Sequence, residues 1–187
     1  MLTTEKKILK AATKLFSEHG YKGVSTRSIA ALAGVNEITI FRHFKSKSNL
    51  LQSVIRHFAF EGNIVEKISH DITGCIKDDI VIFAEVYYMF LENNIKMYKI
   101  QIKEIDEDGK KFTNSIEYTR FMEAYFIKKV EEGKFKGDPY LVSTSIVSMI
   151  MGIFTLKEYS PDIFEGTDYR QLITRFVEDI SSLYVIN

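Results

Sequence analysis

Residues 25–47 read STRSIAALAGVNEITIFRHFKSK, and this stretch decides the fold. Ser25 or Thr26 can cap the free amides of a helix whose apolar residues are Ile29, Ala30, Leu32 and Ala33. Gly34 ends that helix, because glycine takes the left-handed conformation that closes a helix. Asn36 then caps a third helix carrying Ile38, Ile40, Phe41 and Phe44, and Lys45-Ser46-Lys47 is a polar break before a longer helix from Ser48. Two short helices across Ala-Gly-Val make a helix-turn-helix.

On the amino-terminal side, Ile8, Ala11, Ala12, Leu15 and Phe16 recur at helical spacing between Thr4 and His19, and Gly20 stops the run. Charge sets this head apart from the rest. Residues 1–60 hold 10 Lys+Arg and 3 Asp+Glu, 10 − 3 = +7; residues 61–187 hold 15 and 22, 15 − 22 = −7, so the chain sums to zero. A basic head on an acidic body implies an anionic partner for the head alone, a nucleic acid or a membrane surface.

The motif separates these two. Ser25-Thr26-Arg27-Ser28-Ile29-Ala30, followed by Ala33-Gly34-Val35-Asn36-Glu37-Ile38-Thr39-Ile40-Phe41-Arg42-His43-Phe44-Lys45-Ser46-Lys47, resembles the DNA-binding head of the tetracycline-repressor family of bacterial regulators. The resemblance covers about residues 5–55 and includes Ser-Lys-x-x-Leu-Leu at the opening of the next helix. It implies double-stranded operator DNA as partner, a homodimer and a small-molecule effector of unknown identity.

The third helix is the expected recognition helix, whose amino-terminal residues point at base edges in the major groove. Glu37, Ile38 and Thr39 occupy that end, beside the cap Asn36. Glu37 can accept from cytosine N4 or act as a first-turn helix acid. Ile38 and the Thr39 methyl suit a thymine methyl, and the Thr39 hydroxyl a base or a phosphate. Ser25, Thr26 and Arg27 open the preceding helix, where the resemblance implies that Arg27 reaches a base or the backbone. Phe41 departs from the tyrosine frequent in the family, so its ring either meets DNA or packs in the head. Arg42 and His43 are further contact candidates, His43 as a phosphate donor. Lys47 sits where a helix dipole disfavours a cation, so a phosphate explains it better than helix stability.

Beyond Leu50 the pattern is helical, without strand-like alternation or repeats. Helices are expected over Ser48 to about His70, Asp78–Asn93, Asn93 or Asn94 to about Glu107, Lys111–Glu132, Tyr140 to about Tyr159 and Thr167–Tyr184. Residues Pro139 to Leu156 carry no charge, yet Ser143, Thr144, Ser145, Ser148, Gly152 and Thr155 argue against a membrane span. The small Ser145, Ser148 and Gly152 permit close approach of another helix. By the resemblance this helix and the last one, with Leu172 and Phe176, pair with a second subunit.

Eighteen of the 24 aromatic residues follow residue 60, enough for a large core or a ring-lined pocket. Expected pocket residues are Glu85, Tyr87, Tyr88, Met97, Tyr98, Tyr118, Phe121, Met122 and Tyr125, with Glu85 either a counter-charge for a cationic ligand or a polar edge facing solvent.

The lone Cys75 excludes an internal disulfide, and lysines interrupt the first residues, so a cytoplasmic location is expected. No catalytic motif, metal spacing or cofactor signature occurs. The sequence thus predicts an all-α chain of about nine helices. Residues 1–47 form a helix-turn-helix DNA-binding domain and residues 48–187 a ligand-binding and dimerisation domain. The expected function is that of a transcriptional regulator, a repressor released by a small, largely apolar or aromatic effector. A DNA-binding dimer without an effector and, more remotely, a helical enzyme are the alternatives.

Overall fold

The computed structural model describes residues 2–59, 64–103 and 113–186. Every regular element among them is helical. They form two compact units, the first comprising Met1–Gly62 and Asn94–Lys111, the second Asn63–Asn93 and Phe112–Asn187.

The first unit contains α1 (Thr4–His19), α2 (Thr26–Ala33), α3 (Glu37–Phe44), α4 (Lys47–Ala59) and α7 (Ile95–Lys103). Its boundaries follow local chemistry. Ser25 and Ser28 form a reciprocal capping box at the start of α2, with N···O distances of 3.0 and 3.2 Å. Gly34 (φ 68°, ψ 39°) adopts the left-handed cap. The Asn36 side chain accepts from the Ile38 amide at 3.0 Å, and the Ser46 hydroxyl accepts from the Asn49 amide at 3.0 Å. Because Ser46 is the residue that caps it, α4 starts at Lys47, one residue before the expected Ser48. Lys45 has a positive φ of 68°, and the Ser46 amide donates to the Phe44 carbonyl at 2.8 Å, so the polar break is a tight, strained turn.

One core unites this unit: Ile8, Ala12 and Phe16 of α1, Ile29 of α2, Ile40 and Phe44 of α3, and Leu50 and Val54 of α4. Met97 and Ile100 of α7 belong to the same core. The compact unit therefore takes in α4 and α7 as well as the expected head at 1–47.

The second unit contains α5 (Ile64–Ser69), α6 (Ile76–Asn93), α8 (Thr113–Glu131), α9 (Pro139–Tyr159), a 3-10 turn at Pro161–Phe164 and α10 (Tyr169–Tyr184). The expected single helix from Ser48 to His70 is described as α4 and α5, with residues 60–63 outside the described residues. The expected ends at Glu107 and Asp108-Gly109 also lie outside them. Asp138 caps α9 through the Leu141 amide (2.9 Å) with Pro139 in the first turn. Asp168 caps α10 through the Arg170 amide (2.9 Å), which moves its start from the expected Thr167 to Tyr169. α6 packs against α9 and α10, α8 runs along α9, and α5 lies on α6 and α8.

Two polar clusters fasten this unit. Asp79, fully buried in α6, accepts from the Thr73 amide (2.7 Å) and hydroxyl (2.8 Å), the Gly74 amide (3.0 Å) and the Tyr125 hydroxyl (2.5 Å). Burial, and then the Asp79 carboxylate, push the Tyr125 hydroxyl well above its ordinary pKa, so it stays a donor. The Lys157 ammonium of α9 donates to the Tyr88 hydroxyl (2.8 Å) and Glu92 (3.0 Å) of α6 and lies 4.2 Å from the Tyr169 ring centroid of α10. Lys157→Met should therefore lower the melting temperature, the lost charge contacts being worth about 1–2 kcal/mol at this part-exposed site, checked by thermal unfolding.

Candidate nucleic-acid interface

The buried face of α3 is Ile40 and Phe44, which leaves its amino end and opposite face uncovered. Ile38 is 73% exposed and Phe41 is 45% exposed, an apolar pair at i, i+3 that the fold does not bury. Of the two roles open to Phe41, this exposure places it outside the head core. Arg27 of α2 and Arg42 and His43 of α3 are exposed, and Thr39 is half-buried.

Ser25 and Asn36 spend side-chain oxygens on the caps of α2 and α3. Thr26 and Glu37 are joined: the Thr26 hydroxyl donates to Glu37 Oε1 at 2.5 Å, fastening the starts of α2 and α3. This contact was not legible in the spacing, which offered Glu37 only as a base reader or a first-turn acid. Lys47 lies at the start of α4 with its ammonium 4.1 Å from the centroid of the Tyr21 ring, and Tyr21 packs against Phe16 of the core with ring centroids 5.8 Å apart. The aromatic face thus holds one cation at the end of the helix-turn-helix.

In the second unit the expected pocket residues gather only in part. Glu85 and Tyr88 of α6 line a cavity of about 130 Å³ against α10. Val81, Met89, Arg170, Ile173, Thr174 and Val177 line it too, all outside the expected set. The signal was present as two facing stripes, 81/84/85/88 and 170/173/174/177, each at i, i+3, i+4, i+7. Arg170 shares the cavity with Glu85, so it carries both signs.

The other expected residues sit elsewhere. Tyr87, Tyr118 and Met122 are fully buried, with the Tyr87 and Tyr118 rings stacked 5.1 Å apart and the Tyr118 hydroxyl donating to the Phe83 carbonyl at 2.6 Å. Tyr125 is committed to Asp79, and Phe121 meets Phe83 edge to face at 6.3 Å. Met97 and Tyr98 are buried on α7, in the first unit.

α9 is long and apolar enough to cross a membrane by length and composition, and 33% of its most apolar window is buried. Its inward face is Val142, Ile146, Ile150 and Phe154. The face left open carries Leu141, Ser145, Ser148, Gly152, Leu156 and Tyr159, half-buried or exposed along one stripe. On α10, Leu172 and Phe176 are half-buried beside the inward Ile173 and Val177.

A capped α2, a glycine turn and a short α3 with an exposed apolar residue at its amino end and a basic last turn define a helix-turn-helix. Residues 8–54 match the family described as bacterial regulatory proteins, tetR family. The HTH-type transcriptional regulator YvkB of Bacillus subtilis is 40% identical over 73 residues, 38% of this chain and 39% of YvkB. The HTH-type transcriptional repressor Rv3405c of Mycobacterium tuberculosis is 48% identical over 50 residues, 27% of each chain. These matches therefore span well under half of either relative. Across the whole length the fold is that of the TetR-family regulator PfmR from Thermus thermophilus (TM-score 0.72, 21% identity, 96% of both chains). SmeT in its triclosan complex is similar to the same degree (TM-score 0.70, 18% identity, 98% of this chain and 92% of SmeT). Residues 8–54 thus carry the amino-terminal region of the tetR family of bacterial regulatory proteins, and the whole chain shares the fold of tetR-family regulators.

Proposed function

We propose that this regulator represses transcription as a homodimer on palindromic operator DNA and is released by a small, largely apolar or aromatic effector. The observation that carries the DNA reading is Ile38, 73% exposed at the amino end of α3. An apolar side chain so placed, on a head with seven excess positive charges over residues 1–60, fits a thymine methyl between phosphates. Ser25, Thr26, Arg27, Asn36, Glu37, Thr39, Phe41, Arg42, His43 and Lys47 make up the rest of the contact surface. The name of the repressor Rv3405c supports repression as the mode.

The open stripe on α9, with Leu172 and Phe176 of α10, supports dimerisation. Water-exposed apolar surface of this extent on one helix is expected to be covered by a partner. Two recognition helices then meet successive major grooves about 34–36 Å or a multiple apart. Light scattering at micromolar concentration should return a dimer without detergent. A monomer, or a species that needs detergent, would exclude this reading.

The cavity at Glu85 and Tyr88 is the effector site favoured here, with room for about one ring; the triclosan complex of SmeT supports an aromatic ligand class. Ile64 and Ile68 of α5 are buried against its neighbours α6 and α8. Since α5 follows α4 in the chain, an effector that shifts α5 can displace the head. The coupling is expected at roughly 5–150-fold on DNA affinity, and equally on effector affinity. Effector titrations with and without operator measure it. Equal affinities would leave a DNA-binding dimer with no effector.

Within the head, Lys47→Ala should weaken all DNA sequences alike and reduce the salt slope by about one unit. Glu37→Ala should relax discrimination at one base pair per half-site. Operator selection at several salt concentrations checks both.

A further inference from the structure

The first unit has a cavity of about 260 Å³ that none of the proposed DNA-reading residues lines. Lys7, Lys10 and Lys14 border it from α1, at i, i+3 and i+7, so their side chains share one stripe of the helix. Lys96, the second residue of α7, supplies a fourth ammonium. Its position is set by the head itself, because the adjacent Met97 and Ile100 lie in the same core as α1. Among the described residues, no carboxylate forms an ion pair with any of the four. Gathering like charges costs free energy, and Lys7 also lies in the first turn of α1, where the helix dipole disfavours a cation. All four lysines are exposed, so their mutual repulsion is small, but among the described residues no paired carboxylate offsets it.

The hollow is not merely basic. Ala11 of α1 is buried beneath it, Ala33 of α2 adjoins it, and Leu2 and Leu32 stand exposed at its border. A DNA phosphate needs only an accessible basic surface, and an inorganic anion needs only the charge. A concave site with cationic walls and apolar lining suits a molecule with both kinds of surface. From this we infer that the head carries a binding site for a small amphiphilic anion, a carboxylate or phosphate monoester on a short alkyl or aromatic tail. The lysines hold the anionic group, and the leucine and alanine side chains cover the tail. This site is separate from the cavity between α6 and α10 and does not depend on it.

Titration calorimetry on the full chain, without DNA, tests the inference with octanoate and octyl phosphate as probes and acetate and 1-octanol as controls. One octanoate or octyl phosphate should bind per chain, with the controls at least tenfold weaker, because each control lacks one of the two surfaces. Comparison of the two probes separates a preference for carboxylate from one for phosphate. Lys10→Gln/Lys14→Gln should weaken the probes about tenfold or more, in line with two lost charge-assisted contacts. Lys96→Gln, on a different helix, should weaken them as well, and circular dichroism checks that both variants remain helical. Unchanged binding in both variants would place the probe elsewhere and overturn the assignment. Acetate binding as tightly as octanoate would remove the role of the apolar lining and overturn it too. If the probes do not bind at millimolar concentration while the double variant lowers the salt slope of operator binding by about two, the lysines are DNA phosphate contacts and the site does not exist.

Discussion

Asp79→Ala is expected to destabilise the protein by about 3 kcal/mol or more, a fall of roughly 6–12 °C in the melting temperature of the 187-residue chain. The carboxylate is fully buried and accepts four hydrogen bonds, from two backbone amides and two hydroxyls. Removing it leaves the Thr73 and Gly74 amides and the Thr73 and Tyr125 hydroxyls without their acceptor in a part-buried place. The loss of a buried acceptor costs more than the bond it made. Asp79→Asn should fall between, since its amide keeps one oxygen and turns a donor toward groups that are themselves donors. Tyr125→Phe, which removes one donor and leaves three, should cost about 1 kcal/mol. Thermal and urea unfolding of the three variants measures the order. An Asp79→Ala variant as stable as the parent would mean that the loop at Thr73-Gly74 does not depend on this carboxylate.

The head was readable because each of its boundaries is written in adjacent residues. Ser25, Gly34 and Asn36 act within a turn of their own positions, and the apolar spacing of a short helix leaves little choice about its buried face. The body was readable as helices for the same reason, while the role of its aromatic residues was not. A tyrosine in a core and a tyrosine in a pocket have the same spacing. What separates Tyr87 and Tyr118 from Tyr88 is the helix that packs on them, which is a long-range fact. Tyr125 lies on an aromatic stripe that suits a ligand contact, but its partner Asp79 is 46 residues away. The Thr26–Glu37 bond escaped for a related reason. Eleven residues and a turn separate the two, and only the angle between α2 and α3 brings them together. In sequence the lysines of α1 only interrupt an apolar run, and it is the placement of Lys96 beside them that turns a charged face into a lined hollow.

Ser148→Arg is expected to convert the proposed dimer to a monomer and lower affinity for the proposed operator by about 100-fold or more, since two linked heads gain that order of avidity over one. Ser148 lies exposed on the open stripe of α9, in line with Leu141, Ser145 and Gly152. A long cation there meets water in a single subunit and costs little, whereas between two closely packed helices it would be buried without a partner. Helical content should therefore be unchanged while light scattering reports half the mass. Gly152 gives a second, opposite probe. A methyl group built on it meets no atom within 4 Å in the single chain, and its φ is not positive, so nothing in its own subunit calls for glycine. In a helix interior glycine is about 1 kcal/mol less favourable than alanine. If the stripe faced only water, Gly152→Ala should raise stability. If a second helix approaches there, the added methyl should instead weaken the dimer and lower the operator affinity with it. A Ser148→Arg variant that stays dimeric and binds operator like the parent would move the interface off α9 altogether.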